Sequence, residues 1–260
     1  MLTTVFSPRL SLILLFLTLP VLLLSCRKEQ HSSPEIFISQ TDEIAILRKF
    51  IAESVHDTQE NIQFDRQNNT FLIGGDVIMP LADARQHYKQ NRERGVRTEQ
   101  RRSTYTMSSA VIANIGIYVA RPGPVPWLQA VTQAIANWNA AGCGIHVSLV
   151  TDPKIAQILI YMQYDPAPTP LATASYPTSA GNPGPTLIIN TRYPLSSSEM
   201  QLVLTHELGH CFGFTHTNES FGLLIPGTPV SDRYSVMNST VVPWNGFSHY
   251  DLLAFKTVYP

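Results

Sequence analysis

The segment His206-Glu207-Leu208-Gly209-His210-Cys211-Phe212-Gly213-Phe214-Thr215-His216 carries the reading of this chain. Residues four apart on a helix share a face, so His206 and His210 point the same way and can grip one ion. Glu207 stands beside His206, within reach of a water on that ion without being a ligand itself. Gly213 falls where the helix must stop, because glycine takes the left-handed conformation that turns a chain sharply. That turn brings His216 back to the ion from outside the helix. Three neutral imidazoles leave one position of a tetrahedral Zn2+ open, the arrangement of a catalytic site rather than a structural one. The plainer reading is a buried helix whose histidines are satisfied by backbone oxygens. It does not account for three His, a Glu and a Gly all falling at this spacing.

The flanking sequence supports the helix and sets its context. Ser196 and Glu199 form a capping-box pattern, starting a helix that runs to about Phe212. Upstream, Ile115 to Ala120 reads as a strand. Trp127, Val131, Ile135 and Trp138 mark one face of a helix ending near Gly142. Ile145 to Val150, Ile155 to Tyr161, a short Leu171 to Tyr176 and a strong Thr186 to Asn190 read as further strands. Downstream, Ser248 to Tyr259 closes the chain as a helix with Leu252, Leu253, Phe255 and Val258 inward. Strand, helix and several strands before one long helix predict an α+β fold with a mixed twisted sheet.

Before about Thr104 the pattern differs. Ile44, Leu47, Ile51 and Val55 predict a helix over Thr41 to His56. Ile62 to Phe64 and Phe71 to Ile73, with a turn at Asn68-Asn69, read as a hairpin. Gly74-Gly75-Asp76 precedes the apolar Val77-Ile78-Met79, and Leu81 to Gln90 reads as a short helix. The basic stretch from Asn91 to Ser103 has no apolar periodicity and reads as an exposed linker open to nicking.

The chain has 260 residues, 44% hydrophobic and 14% charged, an ordinary globular balance fitting one large domain or a small and a medium one. A net charge of −1 gives no reason to expect nucleic acid as a partner. At the start, Arg9 precedes an apolar run from Leu10 to Leu24, too short to cross a bilayer comfortably. It ends in Leu23-Leu24-Ser25-Cys26, which resembles the lipobox of bacterial lipoproteins, where the Cys becomes the lipidated first residue. The alternative is an ordinary secretory signal with an incidental Cys; both imply export. If Cys26 carries lipid, Cys143 and Cys211 remain, either as a disulfide or as two buried thiols. His31, His56, His87, His146 and His249 show no ligand spacing, and Trp127, Trp138 and Trp244 read as packing residues.

The eleven-residue motif from His206 to His216 resembles the extended zinc motif of the metzincins. Ser235-Val236-Met237-Asn238 matches that family's Met-turn, with Met237 beneath the zinc histidines. Some metzincins add a Tyr ligand two residues after the Met; here that position is Ser239, so no tyrosine ligand is expected. Within the metzincins the chain is similar to the bacterial HEIGH-type peptidases, on His206-Glu207-Leu208-Gly209-His210, on the Met-turn, and on the ending from Phe247-Ser248 to Tyr259-Pro260. The resemblance implies a zincin-like catalytic domain over residues 104–260, with a backing helix, an active-site helix and a C-terminal helix. It implies a Zn2+ endopeptidase held by His206, His210 and His216, with Glu207 as general base, Gly213 and Met237 as structural support, and protein or peptide substrates. It also implies that Leu171 to Tyr176 is an edge strand on which an extended peptide pairs.

Residues 1–26 are then expected to be a lipoprotein signal peptide. Residues 27–103 form a small N-terminal region, a candidate prosegment, with its basic linker. Astacins, a metzincin group, block zinc with a prosegment Asp in a Phe-x-Gly-Asp pattern; Phe71 to Asp76 is similar without matching. One reading is that Asp76 approaches zinc as a latency ligand until cleavage near Arg101-Arg102. The commoner reading of Gly-Gly-Asp is a turn. The expected protein is an exported, monomeric lipoprotein of the outer membrane or cell surface, anchored to the membrane through its lipid, or one released to the extracellular space. Two other functions compete: a zinc-containing surface binding module, and a zinc hydrolase of a non-protein amide.

Overall fold

Ile44, Leu47 and Ile51 recur at helical spacing and bury one side of helix α1 (Gln40–Ser54). The structure, a computed structural model, describes residues 40–54, 58–73, 75–82, 84–85, 88–89, 100–167, 169–218, 222–229 and 232–260. The apolar leader, Cys26, the polar tether, His31, His56, His87 and residues 91–99 of the basic linker lie outside the described residues. Among the described residues no helix is long and apolar enough to cross a membrane.

After α1 the expected hairpin forms: β1 (Gln63–Asp65) runs antiparallel to β2 (Thr70–Ile73). Asn69 takes the left-handed conformation at φ 53°, which asparagine tolerates, and the Asp65 carboxylate accepts the N–H groups of Gln67 and Asn68. Strand β3 (Val77–Pro80) returns antiparallel to β2. The described residues between 81 and 89 are helical. Arg101 and Arg102, expected in an exposed linker, are half-buried as the short strand β4 (Arg101–Arg102).

The catalytic half keeps the order read from the sequence. Strand β5 (Ile115–Arg121) leads to helix α2 (Val125–Asn139), then β6 (Val147–Leu149), β7 (Ile158–Gln163), β8 (Ala172–Ser175) and β9 (Thr186–Asn190). Helix α3 (Ser197–Cys211), the short β10 (Leu223–Leu224) and helix α4 (His249–Val258) complete it. The fold is α+β. One mixed sheet runs in the order β1-β2-β3-β8-β9-β7-β5-β6, and a separate two-stranded ladder pairs β10 with β4. Strands β6, β5, β7 and β9 are mutually parallel; β8 is antiparallel to β9. Residues 38–260 form one compact unit, and its sheet crosses the boundary expected near residue 103 because β1, β2 and β3 precede that point.

Alternation along β7 turns Ile158, Ile160 and Met162 to the buried face, and β9 adds Leu187 and Ile189. Trp138 of α2 is fully buried among Phe212, Phe214, Phe247 and Phe255, with ring centroids 4.5–6.0 Å apart. Its indole N–H donates to the Thr205 carbonyl at 3.0 Å, and Asn137 Nδ2 donates to Thr205 Oγ1 at 2.9 Å. The backing helix therefore fixes both the position and the rotation of α3.

A second apolar cluster is distinct from this core. It joins α1, β2, β3 and the following turn through Ile44, Leu47, Ile51, Phe71, Ile73 and Met79, with Tyr176 on its border. One expectation changes here. Strand β8 is not an edge strand, because β3 pairs with it in parallel, Val77 opposite Ala174 and Ile78 opposite Ser175. On α4 Phe255 is buried and Leu252 and Val258 pack half-buried against the core, as expected; Leu253 is half-buried, and Asp251 and Ala254 are buried too. Cys143 and Cys211 are free thiols, not a disulfide. Cys211 is buried on α3 with its sulfur toward the Thr186 carbonyl, whereas Cys143 lies half-buried beyond α2.

Candidate active site

The capping box at the start of α3 is complete: Ser196 Oγ accepts the Glu199 N–H and the Glu199 carboxylate accepts the Ser196 N–H. From Leu202 to Cys211 every residue of the helix is buried, so His206, Glu207 and His210 are held without freedom to swing. The helix stops where expected. Gly213 has φ 96°, its N–H donates to the His210 carbonyl at 2.9 Å, and the Phe214 N–H donates to Gly209 at 2.9 Å. These two bonds make a Schellman motif. It reverses the chain and returns His216 to the same site.

The three imidazoles converge through Nε2. His216 Nε2 is 3.2 Å from Nε2 of both His206 and His210. The other nitrogens are engaged: His206 Nδ1 donates to the Val236 carbonyl and His210 Nδ1 to the Phe214 carbonyl, each at 2.8 Å. Those bonds place the proton on Nδ1 and leave the Nε2 lone pairs facing one another. Facing lone pairs repel unless a cation lies between them. Zn–N bonds of about 2.0–2.1 Å in a tetrahedron set ligand nitrogens roughly 3.3 Å apart, the spacing seen here. Burial first, then the neighbouring histidines, lower the pKa of His210 well below its usual value, keeping it in the neutral, metal-binding form.

Glu207 is buried, and its Oε2 has no hydrogen-bond partner among the described residues. Burial and the Asp76 carboxylate push its pKa well above the usual carboxylate range in the metal-free protein; a cation among the imidazoles pulls it back down. Asp76 does reach the centre. Its Oδ2 is 3.1 Å from His216 Nε2 and 3.6 Å from His206 Nε2. Burial alone would raise its pKa, but His216 and His206 outweigh that and hold it far below the usual range. Asp76, His206, His210 and His216 offer four ligand atoms within 4.8 Å of one another.

The Met-turn lies beneath. Met237 is buried, and a Cβ on Gly209 would collide with its sulfur, which is why the helix carries glycine there. Two carboxylates missed by the sequence reading hold this turn. Asp251 accepts the Val236 N–H at 2.8 Å, Ser235 Oγ at 2.5 Å and the Ser248 N–H at 3.0 Å. Asp232 accepts Ser248 Oγ at 2.5 Å. Beside Glu207 opens a cavity of about 240 Å³, lined by Leu171, Leu202, Val203 and Val241 and bordered by Asp76. Ser239 lies on its rim. His146 and His249 are exposed and apart from the site.

The sequence model of the dual-action HEIGH metallo-peptidase family matches residues 71–222, the span from β2 past the third histidine. The chain belongs to that family. As a HEIGH metallopeptidase it is a zinc peptidase, and the three converging Nε2 atoms fit that metal. No curated protein matches the chain. Among solved structures, one of myroilysin is similar to it at 15% identity, covering 60% of this chain and 83% of that one, with a TM-score of 0.42. High choriolytic enzyme 1, a hatching-enzyme zinc-protease from Oryzias latipes, the medaka fish, is 15% identical over 60% of this chain and 93% of its own, with a TM-score of 0.40.

Proposed function

We propose that this HEIGH metallopeptidase is an exported endopeptidase in which Glu207 is the general base. The observation that carries the reading is the buried Glu207 carboxylate, its Oε2 unpaired among the described residues, one position from a metal ligand and facing the cavity. A buried, unpaired acceptor is costly unless something at the site uses it. Bound zinc supplies a Lewis acid that polarises the scissile carbonyl and lowers the pKa of its water toward about 7. Glu207 accepts a proton from the attacking water and hands it to the leaving amine. The Val236 and Phe214 carbonyls keep His206 and His210 in the tautomer that binds through Nε2. The cavity beside Glu207 takes a substrate side chain. Leu171, Leu202, Val203 and Val241 give the cavity an apolar side, and Asn238, Ser239 and Thr240 line it as well.

The leader ending at Cys26 directs export, and lipid on Cys26 anchors the protein to the cell envelope as a monomer. Incubating the protein, freed of residues before Gln100, with denatured casein tests the peptidase reading. Casein should be cut, and a chelator should stop it. Glu207→Ala should keep one zinc per chain while cleavage falls by about 10²–10⁴. Unchanged cleavage would remove Glu207 from the mechanism. Intact casein with an intact zinc site would favour a binding module or an amide hydrolase of non-protein substrates.

A further inference from the structure

A sheet edge is where an extended peptide adds as one more strand, and β8 is the strand that borders this site, with Ala172 lining the cavity beside Glu207. Its outer edge is taken. β3 lies along it, and the Ala174 N–H donates to the Asp76 carbonyl at 2.9 Å. An arriving peptide would need those same backbone groups. The residue that leads into β3 also sets its carboxylate 3.1 Å from His216 Nε2. Three imidazoles and a carboxylate fill a tetrahedral zinc, the closed set of a structural site with no position for water. One segment thus withholds both the strand edge and the open coordination position.

That segment is built as a unit. Its buried apolar residues run from Ile44 to Ala84 and form their own cluster, which among the described residues takes only Tyr176 from the catalytic half. Tyr176 in turn sets its ring edge-on to His210, with centroids 5.8 Å apart. From Gln100 onward the chain is stitched to the catalytic side instead. The Gln100 N–H donates to Thr228 Oγ1 at 2.9 Å, β4 pairs with β10, and the Ser103 N–H donates to the Gly213 carbonyl at 2.7 Å. The block therefore ends before Gln100, and the paired Arg101-Arg102 stays with the other side. The family match begins at Phe71 and so includes Asp76 and β3.

Resting on the peptidase reading above, we propose that Asp76 is the fourth ligand of the metal and that residues 40–89, through β3 on β8, hold the enzyme latent. Departure of that block opens the site.

Full-length protein loaded with Co2+ in place of zinc reports its own coordination in the visible spectrum. Acetohydroxamate, a small metal-binding probe, should leave the spectrum of the uncut protein unchanged. It should shift the spectrum once limited trypsin digestion has cut the block free and the block has been removed. Uncut Asp76→Asn should respond as well, and should lose its metal to a competing chelator roughly tenfold more readily. If the variant does not fold, the cut and uncut wild-type pair decides alone. Uncut wild type that binds acetohydroxamate as tightly as the opened protein overturns the proposal. So does uncut protein that already cleaves casein as fast as the opened protein. Opened protein that binds the probe yet leaves casein intact sinks the peptidase reading while Asp76 keeps its role as ligand.

Discussion

The Asp251 carboxylate accepts the backbone N–H of Val236 at 2.8 Å, and the carbonyl of that same Val236 accepts Nδ1 of His206 at 2.8 Å. The C-terminal helix is thereby connected to a metal ligand through one residue of the Met-turn. Asp251→Ala removes the Oδ2 that accepts both the Val236 and Ser248 N–H groups. Zinc affinity, measured by competition with a chelator, should fall by about 10–100-fold, the usual effect of losing support behind a ligand. An affinity equal to wild type would leave Asp251 with a folding role alone.

Burial raises the pKa of Asp251 from 3.8 to about 6, against the pull of Ser235, Val236 and Ser248, with Asp232 adding to the rise. Between the unfolded and folded values the native state binds more protons, so the contribution of this group to stability is largest at low pH and is lost as pH rises through about 6. Two units at 1.36 kcal/mol each make the effect on the order of 3 kcal/mol. Denaturant unfolding of metal-free wild type and Asp251→Asn at pH 4.5 and 7.5 should show the wild-type advantage shrinking at the higher pH. An advantage that grows would mean that the carboxylate is stabilised as an anion.

Gly213→Ala forces an L-residue to φ 96°, and its Cβ would meet Pro177 Cγ at 3.1 Å and Ser103 Oγ at 3.2 Å. The left-handed conformation alone costs about 1–2 kcal/mol. Because this turn returns His216 to the metal, zinc affinity should drop along with stability. A variant with lower stability and undiminished affinity would separate the turn from the site.

The cysteines offer a direct check. Burial pushes the Cys211 thiol pKa far up, and that of Cys143 is raised as well, again by burial first. Native protein treated with iodoacetamide should therefore label slowly at Cys143 and not at Cys211, with both labelling after unfolding. A pair resistant to labelling until reduced would restore the disulfide.

The metal ligands were legible because their geometry is local. His206 and His210 are one helical step of four apart, and Gly213 sets the return of His216, so covalent spacing decides nearly everything. The expected backing helix and the β5, β7 and β9 strands were legible from apolar period. Asp76 was visible as a residue, but what draws it to the site is the β3 pairing with β8, two residue pairs long and joined from distant parts of the chain. No periodicity encodes such a contact. Asp251 went unseen because its partners at the Met-turn are largely backbone groups, which carry no side-chain signature. The β4 ladder lay hidden in a basic stretch whose composition reads as linker, while its partner β10 is a mere Leu223-Leu224.

The order of strands carries one last consequence. With β1, β2 and β3 in place, the rim of the sheet beside the catalytic cleft is β1, a three-residue strand with polar ends. In the opened form proposed above, β8 is the rim, its outer backbone N–H and C=O groups bare along Ala172 to Ser175. Such a rim accepts any extended chain, including the tail of another freshly opened copy. On that proposal, the same strands that close the site also keep this rim from pairing with a second copy.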